Sequence, residues 1–192
     1  MLEDVRAFAY ALPDYNIAHS AEWMLVVLAF REGRLAQAWA ALKNLTPVVE
    51  AKEHLTFVRQ CYMLKAEALL GIAGLIDPDA EAPAERPRFP RKKPTARDIA
   101  MFLWLKPQAR RLARQALEHI LALDPNQRGA YYARAKIGLG LLAEAQGKTD
   151  QAIADLKDGH GHALDEGLNL IAARAEPALR RLGINPPGPA RQ

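Results

Sequence analysis

The sequence has a single cysteine, Cys61, among its 192 residues, so no disulfide can form within the chain. A protein without disulfides is typical of a reducing compartment, and we expect it to be cytoplasmic. Cys61 is followed by Tyr62, Met63 and Leu64, and this apolar context favours a buried thiol over a nucleophile.

Long apolar runs are also missing. The longest, at 24–30 (eight residues with the preceding Trp23) and at 99–105 (seven residues), are far shorter than the roughly 18 residues that a membrane-spanning helix needs. Glu3 and Asp4 stand where a signal peptide would be basic. We therefore expect no signal peptide and no membrane partner.

β-Branched residues are scarce, and this decides the fold class. Valine, isoleucine and threonine together number 19, against 36 alanines and 27 leucines. Because alanine and leucine favour helices while β-branched residues favour strands, the composition predicts an all-α protein. Arginine outnumbers lysine 17 to 9, which is typical of a GC-rich bacterial genome.

Motifs that carry catalysis are absent from the sequence. It contains no glycine-rich phosphate loop, no cysteine pair and no His-Glu-x-x-His pattern. His160 and His162 lie between Asp158 and Asp165 and could hold a metal, but alternating histidine and glycine is more typical of a turn. We predict a protein that is not an enzyme and has no cofactor or metal, and keep an enzyme built on this turn as a remote hypothesis.

Hydrophobic periodicity predicts a series of helices separated by glycine and proline. Pro47 should kink or restart its helix, Pro177 should kink its own, and Pro107 should split one. Thr95 should cap a helix start with Asp98 three residues on. A turn is predicted at 158–162. The predicted helices span 2–12, 17–32, 35–51, 54–75, 95–105, 107–123, 128–146, 149–158 and 163–182.

Residues 77–94 interrupt this series. They include five prolines and show no apolar periodicity, which predicts an exposed, flexible loop. Six basic residues and no acid lie within 86–97, and without them the net charge of +4 would be about −2. The basic segment comprises Arg86, Arg88, Arg91, Lys92 and Lys93, continued by Arg110, Arg111 and Arg114.

Two interpretations of the basic segment stay open. It could dock on an acidic protein surface, or it could make the protein a regulator that contacts nucleic acid through 86–114. The loop has one aromatic residue, Phe89, so base stacking has little support there. Arg114 could instead pair with Glu118 on a solvated helix face.

A pattern of small residues and leucines recurs at matching distances from a glycine. Leu25, Ala29, Gly33, Ala38 and Leu42 correspond to Leu139, Ala143, Gly147, Ala152 and Leu156. Together with Gly140 and with Pro125 at the end of the preceding unit, this pattern resembles the tetratricopeptide repeat (TPR). The alanines at 38, 113 and 152 are 75 and 39 residues apart, whereas the family repeats about every 34.

The resemblance implies a TPR-like α-solenoid of about three helical hairpins. These are 17–51, then 54–75 paired with 107–124, then 128–158, with the insertion 77–106 splitting the second hairpin and a last helix capping the array. One domain would span 1–183, and a disordered tail would span 184–192. An irregular helical bundle is the alternative.

Proteins of this kind bind other proteins or peptides in a groove lined by the first helix of each hairpin. The resemblance therefore implies an interaction module with an adaptor, chaperone-like or regulatory role. It also leaves apolar repeat ends that an oligomer could cover. The partner-binding residues that it implies are Trp23, Val27, Phe30, Arg31, Arg134, Ile137, Leu141 and Glu144. Core packing is the alternative role for Trp23 and Phe30, whose helix is apolar nearly all round with Met24, Leu25 and Leu28 expected to fill its inner face.

Overall fold

The computed structural model describes residues 15–52, 55–76, 92–123 and 129–186. These ranges contain helices and connecting turns without a strand, which confirms the all-α prediction. None of the described helices combines the length and the apolar character that a membrane crossing requires. The helices are α1 (Tyr15–Arg31), α2 (Leu35–Ala51), α3 (Leu55–Ile72), α4 (Ala96–Leu105), α5 (Ala109–Ala122), α6 (Gly129–Glu144), α7 (Thr149–Asp165) and α8 (Asn169–Arg181), with a 3-10 turn at Lys106–Gln108.

Local chemistry sets several of these boundaries where the sequence predicts them. Gly33 ends α1 with a φ of +78°, a left-handed conformation that glycine adopts without a steric penalty. Pro107 lies in the 3-10 turn that separates α4 from α5, so the predicted split is confirmed. Thr95 and Asp98 form the predicted cap of α4.

The helices pack in chain order, with one exception. α1 packs on α2, α2 on α3, α5 on α6, α6 on α7 and α7 on α8, whereas α3 packs on α5 across the inserted α4. The predicted pairing of 54–75 with 107–124 is therefore confirmed. α1 also contacts α3, α3 contacts α6 and α6 contacts α8. These contacts place α1, α3, α6 and α8 in one layer, against α2, α5 and α7 in the other.

A chain of apolar cores runs between the layers. Leu69, Leu117 and Leu142 meet between α3, α5 and α6. The core between α1, α2 and α3 contains Val26 and Cys61. Cys61 is 1% exposed, and burial raises the pKa of its thiol to about 11, which agrees with the predicted unreactive role.

The turn predicted at 158–162 is wrong. α7 continues through these residues to Asp165, and the chain turns at 166–168, so α8 begins at Asn169. A Cβ atom on Gly159 would lie 2.8 Å from the Ala133 carbonyl oxygen and 2.8 Å from Ile137 Cγ1. This glycine therefore allows α6 and α7 to approach closely. In the sequence alone, the same glycine resembled part of a turn.

Neither internal proline ends its helix. α2 continues through Pro47 and α8 through Pro177, so the restart that was one option at Pro47 does not occur. Ile184 still packs on the core beside α8, although the tail was predicted to start there. The predicted helix at 2–12, most of the loop at 77–94 and the tail at 187–192 lie outside the described residues.

Candidate interaction site

The inserted helix α4 presents an apolar surface to solvent. Its inner strip is formed by Asp98, Met101 and Leu105, which face α2 and α3. The rest of the helix is apolar apart from Arg97, and four of its large apolar side chains stay exposed. The α4 surface is defined by Ile99 (51% exposed), Phe102 (36%), Leu103 (63%) and Trp104 (57%).

A shared carboxylate fixes α4 against the first hairpin. Thr95 and Asp98 form a capping box, in which the Thr95 backbone N–H donates to Asp98 Oδ2 over 2.9 Å. The Thr95 hydroxyl also donates to Oδ2, at 2.7 Å. The other oxygen, Oδ1, accepts the backbone N–H of Ala36 over 2.9 Å. Because Ala36 lies in the first turn of α2, one side chain caps two helix N-termini.

The electrostatics of Asp98 match this role. The side chain is 7% exposed, and the Thr95 hydroxyl bond, helped by the backbone N–H groups and by Arg34, holds the pKa of the carboxyl below its ordinary value. Arg34 is the N-cap residue of α2 and supplies no side-chain cap itself. The helix therefore depends on Asp98 for an acceptor at its N-terminus.

A shallow recess lies where α4 meets α2. It has a volume of about 360 Å³, and its lining is almost entirely apolar. Trp104 and Met101 form its α4 side, Ala36 contributes from α2, and Arg97 stands at its border. The recess is open to solvent and adjoins the exposed Trp104 side chain, so it has room for an apolar side chain from another molecule.

The α1 residues predicted to bind a partner are divided between core and surface. Trp23 and Phe30 are partly buried and pack on the core of α1, α2 and α3. Core packing was the alternative to partner binding for these two residues. Val27 is partly buried, and Arg31 is exposed. Met24 was expected inside but is 48% exposed. α1 is apolar nearly all round, so its periodicity could not show which face packs.

The α6 residues predicted to bind a partner do not form an open groove. Ile137 and Leu141 are 2% and 6% exposed and belong to the core between α6, α7 and α8. Glu144 receives two hydrogen bonds of 2.8 Å from the Arg181 guanidinium. Arg134 is paired with Glu67. These four side chains are thus occupied by contacts within the chain.

Glu67 joins three helices of one layer. It lies on α3 and accepts hydrogen bonds from Arg134 of α6 and Arg174 of α8, with Arg134 Nε at 3.0 Å and Arg174 Nη1 at 2.6 Å. Burial raises the pKa of the Glu67 carboxyl, but the two guanidiniums outweigh burial and hold it below its ordinary value. The triad is a structural clamp that the sequence did not reveal, because its members are 67 and 107 positions from Glu67 along the chain.

The basic segment is only partly described. Arg86, Arg88 and Arg91 lie outside the described residues. Lys92 anchors to the turn after α1, where its N–H donates to the Glu32 carbonyl over 3.0 Å and its ammonium lies 3.3 Å from the Glu32 carboxylate. Lys93 is exposed.

The three arginines of α5 lie along one helix beside α6. Arg110 and Arg111 are exposed, and Arg110 donates to the Ala145 carbonyl over 3.4 Å. Arg114 Nη1 lies 3.7 Å from Glu118 Oε1, one helical turn away. This is the ion pair that the sequence suggested as the alternative to binding a partner.

The two histidines near residue 160 do not converge. His160 is 2% exposed, and burial lowers the pKa of its imidazole. His162 Nε2 accepts the backbone N–H of Gly129 over 2.9 Å. Within the described ranges no group of three or more histidine, cysteine or acidic side chains is placed to bind a metal.

Sequence reasoning missed the α4 surface, although the signal was present. Residues 99–105 are one of the two longest apolar runs, and this run was used only to exclude a membrane span. A helix that is apolar on every side must be buried or have a partner for one face.

Comparisons of the chain with protein-family models, with curated proteins and with solved structures give no match.

Proposed function

We propose that this chain is a TPR-like helical-repeat protein that binds a partner protein through the α4 surface and carries out no catalysis. The observation that carries the proposal is the exposure of four large apolar side chains on a single ten-residue helix. Contiguous exposed apolar patches are uncommon on monomeric proteins and tend to mark interaction sites.

The helix contacts support the repeat architecture. The pairs α1–α2, α3–α5 and α6–α7 correspond to three hairpins, and α8 follows as a last helix. Contacts of α1 with α3, α3 with α6 and α6 with α8 connect the first helices of successive hairpins. Ala38 and Ala152, which occupy corresponding positions in two hairpins, are both fully buried.

The α4 surface has more to offer a partner than the groove that the repeat pattern implies. Burying one large apolar side chain contributes about 1.5–3 kcal/mol, so Ile99, Leu103 and Trp104 together represent a substantial driving force. Tryptophan is also enriched among the residues that dominate binding energies. Ile137 and Leu141 are already buried and offer no such gain.

The test compares the α4 surface with a single exposed apolar side chain elsewhere in the chain. The double variant Leu103→Ser/Trp104→Ser removes the centre of the α4 surface, and Leu170→Ser removes an apolar side chain that is 71% exposed on α8. Each protein is used to capture partners from the source cells with quantitative mass spectrometry. We expect a partner that wild type and Leu170→Ser retain and the α4 variant loses, with all three proteins melting at similar temperatures. Retention of every captured protein by the α4 variant would refute the proposal.

A further inference from the structure

Resting on the proposed function, we propose that the α4 surface recognises an acidic amphipathic segment, one whose apolar side chains are flanked by aspartate or glutamate. The apolar centre of the surface calls for apolar side chains in the ligand. The basic residues near it call for flanking acids, and the recess beside Trp104 can receive one apolar side chain.

The chain on both sides of α4 is rich in basic residues and poor in acids. Residues 92–115 contain seven lysines and arginines and one acid, Asp98. Asp98 is buried and occupied by its two capping roles. Lys92 pairs with Glu32 and Arg114 pairs with Glu118, so the proposed recognition depends on the cations closest to α4.

Two of these cations border the apolar side chains directly, and a third precedes the helix. Arg97 lines the recess with Trp104, and the Lys106 ammonium lies 5.5 Å from the centroid of the Phe102 ring. Lys93 is exposed shortly before α4 begins. The ion pairs found among the described residues include none of these three side chains. They are available to acidic groups that flank an apolar ligand.

The same features disfavour two other occupants. A second copy would bring like charges together around the apolar centre. Single-stranded nucleic acid would use Trp104 for stacking but would leave the aliphatic Ile99 and Leu103 without suitable contacts. An anionic membrane matches the charges, and the experiments below include vesicles to distinguish it from a peptide.

The first experiment is a selection from displayed helical peptides of about 20 residues. Leucine and tryptophan are fixed at helical spacing, and the remaining positions are randomised among glutamate, lysine, glutamine and alanine. Peptides are selected on wild type and counter-selected on Leu103→Ser/Trp104→Ser. We expect the surviving pool to be strongly enriched in glutamate and depleted of lysine.

The second experiment tests charge recognition with the strongest selected peptide, by fluorescence anisotropy. Arg97→Glu/Lys106→Glu should weaken binding about fivefold to thirtyfold, from typical exposed ion pairs. Replacing glutamate by lysine in the peptide should restore binding to this variant and weaken binding to wild type by a similar factor. Lys148→Glu/Lys157→Glu makes the same change in net charge at exposed positions away from α4 and should bind like wild type.

Each contrary result has a distinct meaning. A pool that depends on α4 but has no charge bias would overturn this inference and leave the proposed function standing. A pool with no α4-dependent peptide would overturn both. Binding of phosphatidylserine vesicles or of oligo-dT that depends on Leu103 and Trp104 and competes with the peptide would assign the surface to lipid or to nucleic acid instead.

Discussion

Replacing Asp98 by alanine tests the capping arrangement on which the position of α4 depends. The substitution removes the acceptor for the Ala36 N–H at the start of α2 and for the Thr95 N–H at the start of α4. Losing one N-terminal cap costs about 0.5–2 kcal/mol. Two caps on one buried carboxylate give an expected loss of about 2–4 kcal/mol in the free energy of unfolding, since hydrogen bonds to charged groups lie at the upper end of the range.

Thr95→Ala provides the matched control for this prediction. It removes the threonine side chain from the capping box of α4 but leaves the bond between Ala36 and Asp98 in place. We expect a loss of about 1 kcal/mol, well below the loss for Asp98→Ala. Urea unfolding followed by circular dichroism at neutral pH measures both values. Equal losses for the two variants would show that the bond to α2 contributes nothing.

The pH dependence gives an independent check on Asp98. Because the folded-state pKa lies below the ordinary value of 3.8, the carboxylate contributes stability that is complete above about that pH. This contribution is lost as the pH falls through the folded-state pKa. Below pH 4, wild type should therefore lose more stability than Asp98→Ala does. Parallel stability curves for the two proteins in this range would refute the assignment.

Three further predictions concern packing, a buried histidine and the Glu67 clamp. Gly159→Ala should destabilise the protein by about 1–3 kcal/mol, because its Cβ would meet Ala133 and Ile137. The control Gly161→Ala has no atom within 4 Å and should stabilise α7 by about 0.5–1 kcal/mol. Thermal melts that rank the two variants the other way would contradict the close packing. His160 has a lowered pKa, so stability should fall as the pH drops below about 6.5, and His160→Leu should flatten that slope in a pH series of melting temperatures. Glu67→Gln should lower the free energy of unfolding by about 2–4 kcal/mol, because it leaves two partly buried guanidiniums without their carboxylate. Glu144→Gln, at a more exposed pair, should lower it by less than about 1 kcal/mol. Similar values for the two variants in urea unfolding would refute the clamp.

Helix existence was predictable from the sequence wherever apolar residues followed a regular stripe. α5 shows this well, since Ala113, Leu117 and Ile120 recur at helical spacing and are all buried. Boundary chemistry was predictable too, because Thr95 with Asp98 and the glycine at position 33 act locally. The pairing of α3 with α5 followed from treating the proline-rich stretch as an insertion.

The failures share a different cause, which is that tertiary contacts decided the outcome. Gly159 was read as part of a turn, because its local sequence does not reveal that the Ala133 carbonyl passes within contact distance. α1 could not be oriented, because apolar residues surround it. The second carboxylate bond of Asp98 joins residues 62 positions apart, a distance at which no local pattern gives a signal.

The double role of Asp98 would link the proposed partner binding at α4 to the stability of the whole chain. A ten-residue helix is too short to be stable on propensity alone, so α4 depends on its contacts with α2 and α3. A partner that binds only ordered α4 should therefore stabilise the fold, by about 2.7 kcal/mol at a concentration 100 times its Kd. Asp98→Ala should weaken binding by lowering the ordered fraction of α4 and should lower the unbound stability with it. Leu103→Ser should weaken binding with little change in unbound stability, since its side chain is largely exposed. Binding and unfolding measured on the same two variants thus separate a residue that positions the surface from one that forms it.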